Sequence, residues 1–358
     1  MSSARNLRID GHKLIFHPHR VVQWLDGKQI YPVYLEISPS GACNHRCTFC
    51  AKDYLGYRGR FLDTDNLMKQ LAEMGSLGVK SIMYAGEGEP LLHPEISRII
   101  EFTRSAGIDV AMTTNGVFLV PELAAKILPL MNWVKVSINA GTPAGYAKIH
   151  CCGSADFNKV MENLKSAAAL IRENGWSCTL GAQAILLPDN AAEMEELAAR
   201  VREAGVSYLV IKPYSQHHSS HTQVYARIDY SRYDDLAERL ERFNTDSFSV
   251  IYRHHTMSKL QRAERGYERC LALPFWSYVD AAGKVWGCSS YIGDERFLYG
   301  NINDSSFNDI WEGELRRRSL DFVANGLDTE ECRMNCRMDE INLYLWELTH
   351  PSKHVNFI

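Results

Sequence analysis

A chain of 358 residues with 46% hydrophobic content can bury a large core and, at about 100 to 200 residues per domain, reads as two domains. Its formal charge of -4 leaves no basic surplus for neutralising phosphates, which speaks against a nucleic-acid partner. Apolar runs such as 182–188 fall far short of the roughly 20 residues of a membrane span, and the polar start MSSARNLRID is not a signal peptide, so a cytoplasmic protein off the membrane is expected.

After an extension over residues 1–30, the stretch 31–215 alternates strand-like apolar runs with segments of helical period. The runs are YPVYLEIS, SIMYAGEG, DVAMTTNG, WVKVSINA, WSCTLGAQAILL and SYLVIKPYS. Near-continuous apolar character is what strands buried on both faces require. The expected fold class is therefore α/β, a partial (β/α)6 TIM-like barrel. Each run ends in polar or glycine residues: Ser38, 86–89, 114–116, 137–139, Gln183 and 212–214. All six ends share one predicted rim, the C-terminal one where barrels of this kind bind ligands.

Residues 216–265 read as a connecting region with a helix around 233–243, and 266–340 as a small α+β unit. Within that unit, 277–289 alternates around an Ala-Gly turn and predicts a β-hairpin. The tail, 341–358, ends in the apolar residues 355–358 and is expected to dock on the body.

Ten cysteines are too dilute for a disulfide scaffold, and their clustering points to metal. Cys43, Cys47 and Cys50 lie in the loop after the first strand, within CNHRCTFC. Three thiolates on a 4Fe-4S cube leave one iron open to another ligand. This CxxxCxxC spacing resembles that of the radical S-adenosylmethionine (SAM) family. The resemblance implies that the open iron takes the amino and carboxylate groups of the methionine moiety. It implies further that an electron from the cube cleaves the sulfonium, and that the resulting 5'-deoxyadenosyl radical removes a hydrogen atom from substrate. A small external reductant such as flavodoxin or ferredoxin is implied as well.

By the same resemblance Phe49 packs near the adenine. Glu87, Gly88, Glu89 and Pro90 resemble the family's GGEP motif, with Glu87 in place of the first glycine and Glu89 meeting the methionine amino group. Ser137 and Asn139 match positions that contact the cofactor ribose or carboxylate. Thr114, Asn115, Gln183 and Lys212 share the rim and are expected to face cofactor or substrate.

Cys270, Cys288, Cys332 and Cys336 supply four thiolates, enough to complete a cluster. Their arrangement resembles the shortened SPASM domain called twitch, which carries one auxiliary 4Fe-4S cluster, although the last pair is CxxxC where CxxC is more usual. A four-thiolate zinc site fits the ligand count equally well.

Cys151 and Cys152, in HCCGSADF, could donate a hydrogen atom to a substrate radical, or be small buried hydrophobes; Cys178 reads as part of a strand. His217 and His221 are spaced i, i+4, but Pro213 and the nearby serines argue for a polar substrate-side loop. His254 and His255 read as a solvated pair. Known relatives of this build act on small molecules and on peptides. Residues 1–30 are too short for a winged-helix leader-binding module, so the expected substrate is a hydroxylated small molecule: a sugar, cyclitol or nucleotide-sugar, led to oxidation, epimerisation or elimination. Peptide maturation is the alternative, and a non-catalytic iron or zinc protein the third.

Overall fold

Alternation of side chains across a strand decides what each βα unit buries. The computed structural model describes residues 11–262 and 265–357; the polar start and Ile358 lie outside them. Six parallel strands follow the six runs: β1 (Tyr34–Ile37), β2 (Ser81–Tyr84), β3 (Asp109–Thr114), β4 (Trp133–Ser137), β5 (Thr179–Leu186) and β6 (Tyr208–Pro213). They pair in chain order. One set of alternate residues, among them Leu35, Ile82, Val110, Val134, Ala182 and Ile211, joins the main core with the helices' apolar stripes. Those stripes include Leu67, Leu71, Ile99, Phe157, Val160 and Leu197.

The other set therefore faces the barrel interior: Glu36 on β1, Thr113 on β3, Lys135 and Ser137 on β4, Gln183 on β5 and Lys212 on β6. Helix starts are fixed locally, as where the Asp63 side chain accepts from the Asn66 amide and that of Thr142 from the Gly145 amide.

Two features go beyond the expected six units. The connecting region supplies its helix, Asp234–Glu241, but also a seventh parallel strand, β7 (Ser249–Tyr252), against β6. The predicted hairpin forms as β8 (Trp276–Val279) and β9 (Lys284–Trp286), with Gly283 at φ 80 in its turn. It does not stand apart, because β8 lies parallel to β1 and β10 (Leu298–Asn301) adds to β9. The result is one ten-stranded sheet in the order β10-β9-β8-β1-β2-β3-β4-β5-β6-β7. The edge that β1 would otherwise expose is thereby paired.

The N-terminal segment packs Leu14, Val21 and Ile30 on Phe275 and on Leu345 of the helix Asp339–Thr349. The tail corrects the expectation of docking: Val355 is 57% exposed and Phe357 84%. Pro351 follows the end of that helix, and the apolar surface beneath it is already covered by the N-terminal segment. No helix among the described residues is long and apolar enough to cross a membrane.

Candidate iron-sulfur and cofactor site

The loop carrying Cys43, Cys47 and Cys50 leaves β1 and is fixed by the ends of its neighbours. The amides of Arg46 and Thr48 donate to the carbonyls of His150 (3.1 Å) and Ile149 (2.9 Å), where the helix Pro143–His150 ends. The Glu89 amide donates to the Ala42 carbonyl at 2.8 Å, and the Asn115 side-chain amide to Asn44 Oδ1 at 2.7 Å. Gly88 is required by this approach, since a Cβ there would sit 2.1 Å from the Ala42 carbonyl oxygen.

All three thiols are free. Burial raises the Cys43 thiol to about 11, and burial, followed by the charges of Cys50 and Cys43, raises Cys47 as well. Thiols held protonated in this way are ligands whose protons a metal must displace.

The spacing of the sulfurs tests what they fit. A single zinc with Zn–S bonds of about 2.3 Å would hold its thiolates roughly 3.8 Å apart. Among the described residues, the groups of three ligand atoms within 4.8 Å of one another are His45, Cys47 and His150, and His45, Cys152 and Asp156; no three cysteines of either set form one. Wider spacing suits a cube, whose thiolates sit on different irons.

Glu89 is buried and caps the short helix Pro90–Leu92. Its carboxylate accepts from the Leu91 amide (3.1 Å), the Asn115 amide (2.7 Å) and the Thr114 hydroxyl. Burial raises its pKa against these three donors, so a nearby cationic amino group is what the site lacks. Glu87 points elsewhere: it pairs with Arg60 at 2.9 Å and accepts from the Ala281 amide at 2.7 Å, joining the barrel to the hairpin. Phe49 meets the His150 ring edge-on. Asn139 is engaged within the protein, accepting from the Ile185 amide (2.7 Å) while its side-chain amide donates to Ser137 Oγ (3.1 Å). Ser137 and Gln183 are register partners on the inner face, and Lys212 lies further along the same face.

The second set lines one cavity together with apolar Leu273, Phe297 and Leu327. N–H groups aim at the sulfurs: Ser290 N at Cys288 and Met338 N at Cys336, both 3.4 Å. Asn342 accepts from the amides of Leu271 and Ala272 and presents its own amide 3.6 Å from Cys270 Sγ. Tyr291 OH lies 3.4 Å from Cys332 Sγ. The extra residue of the CxxxC pair is taken up by Asn335 in the left-handed region, φ 56, which asparagine tolerates. Four thiols around an apolar cavity, with N–H donors at the sulfurs, fit a complete cluster.

The loop bearing Cys332 and Cys336 also reaches the barrel. Arg333 donates to the Ser215 carbonyl just past β6 (Nη2, 2.6 Å), and Arg337 pairs with Glu36 (2.8 Å) and donates to Tyr34 OH (2.6 Å). Both cysteine sets thus border the same interior. Sequence reasoning missed Lys52, Tyr54, Arg333, Arg337 and Asn342; the proximity of Arg333 and Arg337 to Cys332 and Cys336 was the one available signal.

Cys151 is exposed and ends its helix at φ 49, while Cys152 sits with His45 and Asp156 beside Cys47. Cys178 is buried just ahead of β5, its thiol raised by burial to about 12. His217 and His221 lie in a loop as expected. His254 and His255 are exposed, His254 Nδ1 standing 3.8 Å from Asp234.

Residues 37–201 match the profile of the radical SAM superfamily, and residues 270–337 that of an iron-sulfur cluster-binding domain, SPASM. These two domains bring 4Fe-4S clusters and S-adenosylmethionine as cofactors. Among curated relatives, the chain is 37% identical over 108 residues to the GTP 3',8-cyclase of Chlorobaculum tepidum, 30% of this chain and 32% of that one. The chain therefore spans about a third of that relative's length. It is 24% identical over 332 residues to the mycofactocin maturase MftC of Mycolicibacterium smegmatis, 88% of this chain and 81% of that protein. Among solved structures, Streptococcus suis SuiB with S-adenosylmethionine bound superposes with a TM-score of 0.65 at 16% identity, over 94% of this chain and 79% of that one. SuiB bound to its precursor peptide SuiA gives 0.63 at 17% identity, over 83% and 69%. The likeness to SuiB is one of fold.

Proposed function

Because the chain belongs to the radical SAM superfamily, we propose that it abstracts a hydrogen atom from a peptide held in the barrel interior between its two cysteine sets. The observation that carries the reading is the shared interior, closed on one side by the loop of Cys43, Cys47 and Cys50 and on the other by Arg333 and Arg337. When bound, the three-cysteine cluster and S-adenosylmethionine supply the one-electron cleavage that yields a 5'-deoxyadenosyl radical. The chain's part is to hold and aim. Cys43, Cys47 and Cys50 hold the first cluster, Glu89 takes the methionine amino group, and Phe49 packs near the adenine. Cys270, Cys288, Cys332 and Cys336 hold the auxiliary cluster, a complete one suited to electron transfer or structure.

A peptide is supported over a small molecule by coverage. The alignment with the mycofactocin maturase spans most of both chains, whereas that with the cyclase spans 30% of this one. The hydroxylated small molecule is the second reading, favoured by the hydrogen-bonding groups of Ser137, Gln183 and Lys212 on the inner face. Deuterated candidates decide between them. Anaerobically reconstituted enzyme with dithionite is expected to move deuterium from a deuterated candidate peptide into 5'-deoxyadenosine, read by mass spectrometry. Transfer from a deuterated cyclitol or sugar instead supports the second reading, and absence of any 5'-deoxyadenosine sinks both.

A further inference from the structure

We propose that the space between the two cysteine sets is an anion-binding subsite, in which Lys52, Arg333 and the Nε2–H of His217 hold a carboxylate or phosphate group of the substrate. The subsite rests on the reading of this interior as the substrate site. His217 is 1% exposed, and its Nδ1 accepts from the Ser219 amide at 3.1 Å, which places the ring proton on Nε2. That Nε2 is buried and has no hydrogen-bond partner. The ring stacks on Tyr54, centroids 5.1 Å apart, whose hydroxyl is also buried without a partner. Buried polar groups are seldom left unpaired, so two neighbouring orphans mark a place where a ligand supplies acceptors.

The surrounding charge says what kind. Lys52 donates to the Ser289 carbonyl, next to Cys288, and lies over the Tyr278 ring. The carboxylates near it are committed elsewhere, Glu36 to Arg337 and Glu87 to Arg60. Asp53 accepts from the amides of His221 and Thr222. Arg333 holds the carbonyl and hydroxyl of Ser215, neutral acceptors that leave its charge unbalanced. Burial, then Lys52, holds His217 down to about 3, so the ring is a neutral donor within the field of Lys52 and Arg333. Two cations beside a neutral donor, neither paired directly with a carboxylate, suit an oxyanion, which Arg333 can meet with a planar fork.

Calorimetric titration of the reconstituted holoenzyme with inorganic pyrophosphate in one arm and glutarate in the other tests this. Saturable binding of either is expected, pyrophosphate pointing to a phosphorylated substrate and glutarate to an acidic residue or carboxylate. Arg333→Gln and His217→Phe should each weaken it at least tenfold, and Arg333→Lys less. Binding by neither probe, or equal binding by the variants, overturns the subsite. If the variants do not retain iron, the wild-type salt dependence decides: indifference to ionic strength also overturns it. An enzyme that forms 5'-deoxyadenosine without such binding loses the subsite and keeps the hydrogen-abstraction reading.

Independently, we infer that His150 is a positioning residue that donates a hydrogen bond to the Cys47 sulfur and raises the first cluster's reduction potential. The Asn139 amide donates to His150 Nε2 at 3.2 Å, so that nitrogen is an acceptor and the ring proton sits on Nδ1. Nδ1 stands 3.4 Å from Cys47 Sγ. The ring cannot easily turn away: it is buried, stacked on Tyr146 at 3.9 Å, and its backbone carbonyl accepts from the Arg46 amide. A donor at a ligating sulfur draws off electron density and favours the reduced cluster.

An EPR-monitored redox titration of reconstituted protein reads the effect, the first cluster being identified by its spectral change on adding S-adenosylmethionine. His150→Phe should shift its potential to more negative values, while His150→Gln, which can still donate, should shift it less. Equal potentials in wild type and His150→Phe overturn the inference. Should His150→Phe lose its iron, a His150→Gln potential above that of His150→Leu supports it, and no difference between those two overturns it.

Discussion

Replacing Cys47 with alanine lowers bound iron from about eight to about four atoms per chain, as each 4Fe-4S cube holds four, and suppresses 5'-deoxyadenosine formation. The loss should exceed about 100-fold, because even partners of metal ligands cost 10 to 100-fold when removed. Cys47 is held in place locally: its two neighbouring amides, those of Arg46 and Thr48, are tied to the helix Pro143–His150, and its sulfur faces His150. The auxiliary set lies in its own cavity, so its iron should stay. Iron assay and product quantification on the same sample check both halves. Persistent 5'-deoxyadenosine at the wild-type rate would show that the cluster sits elsewhere.

Glu89 variants should separate a structural effect from a binding one. In Glu89→Ala the Leu91 amide, the Asn115 amide and the Thr114 hydroxyl lose their acceptor together. An orphaned buried donor costs about 1 to 3 kcal/mol, so a loss of about 3 kcal/mol or more is expected, read as a fall of several degrees in Tm. Glu89→Gln retains acceptor capacity but not charge. It should hold Tm near wild type while weakening S-adenosylmethionine binding at least about tenfold, the scale of a lost charge-assisted hydrogen bond. A glutamine variant that binds the cofactor normally would remove Glu89 from the cofactor site.

The parts of this architecture written in local pattern were legible. β1 to β6 coincide with the six apolar runs, because burial on both faces leaves a continuous hydrophobic signature. The hairpin was visible for the same reason, its Gly283 turn being set by neighbouring residues. β7 was not, since Ser249–Tyr252 is short and only half-buried and gains its identity from pairing with β6. Nor could sequence show that β8 would choose β1 as its partner.

The cysteine sets were legible because spacing alone carries ligand chemistry. Residues that act through distant partners were not. Asn342 reads as one polar residue in an amphipathic helix until it meets the amides of Leu271 and Ala272. His150 looks like a helix end until Cys47 and Asn139 close on its two nitrogens. Glu87 shows the converse, since motif position suggested the cofactor whereas its carboxylate clasps Arg60 and the hairpin. The tail failed because its apolar residues were weighed without knowing that the nearby surface was already occupied.

The pairing of Tyr34 with Trp276 has a bearing on how the chain is made. β1 leaves the ribosome well before β8, and its outer edge stays uncovered until β8 follows. Over that interval a bare strand edge invites association with other nascent chains, and the loop that must receive the first cluster hangs from it. Contacts this distant in sequence also form slowly. Maturation of the iron site is thereby tied to the synthesis of β8, and a chain halted before that strand keeps its cysteine loop on an unfinished support.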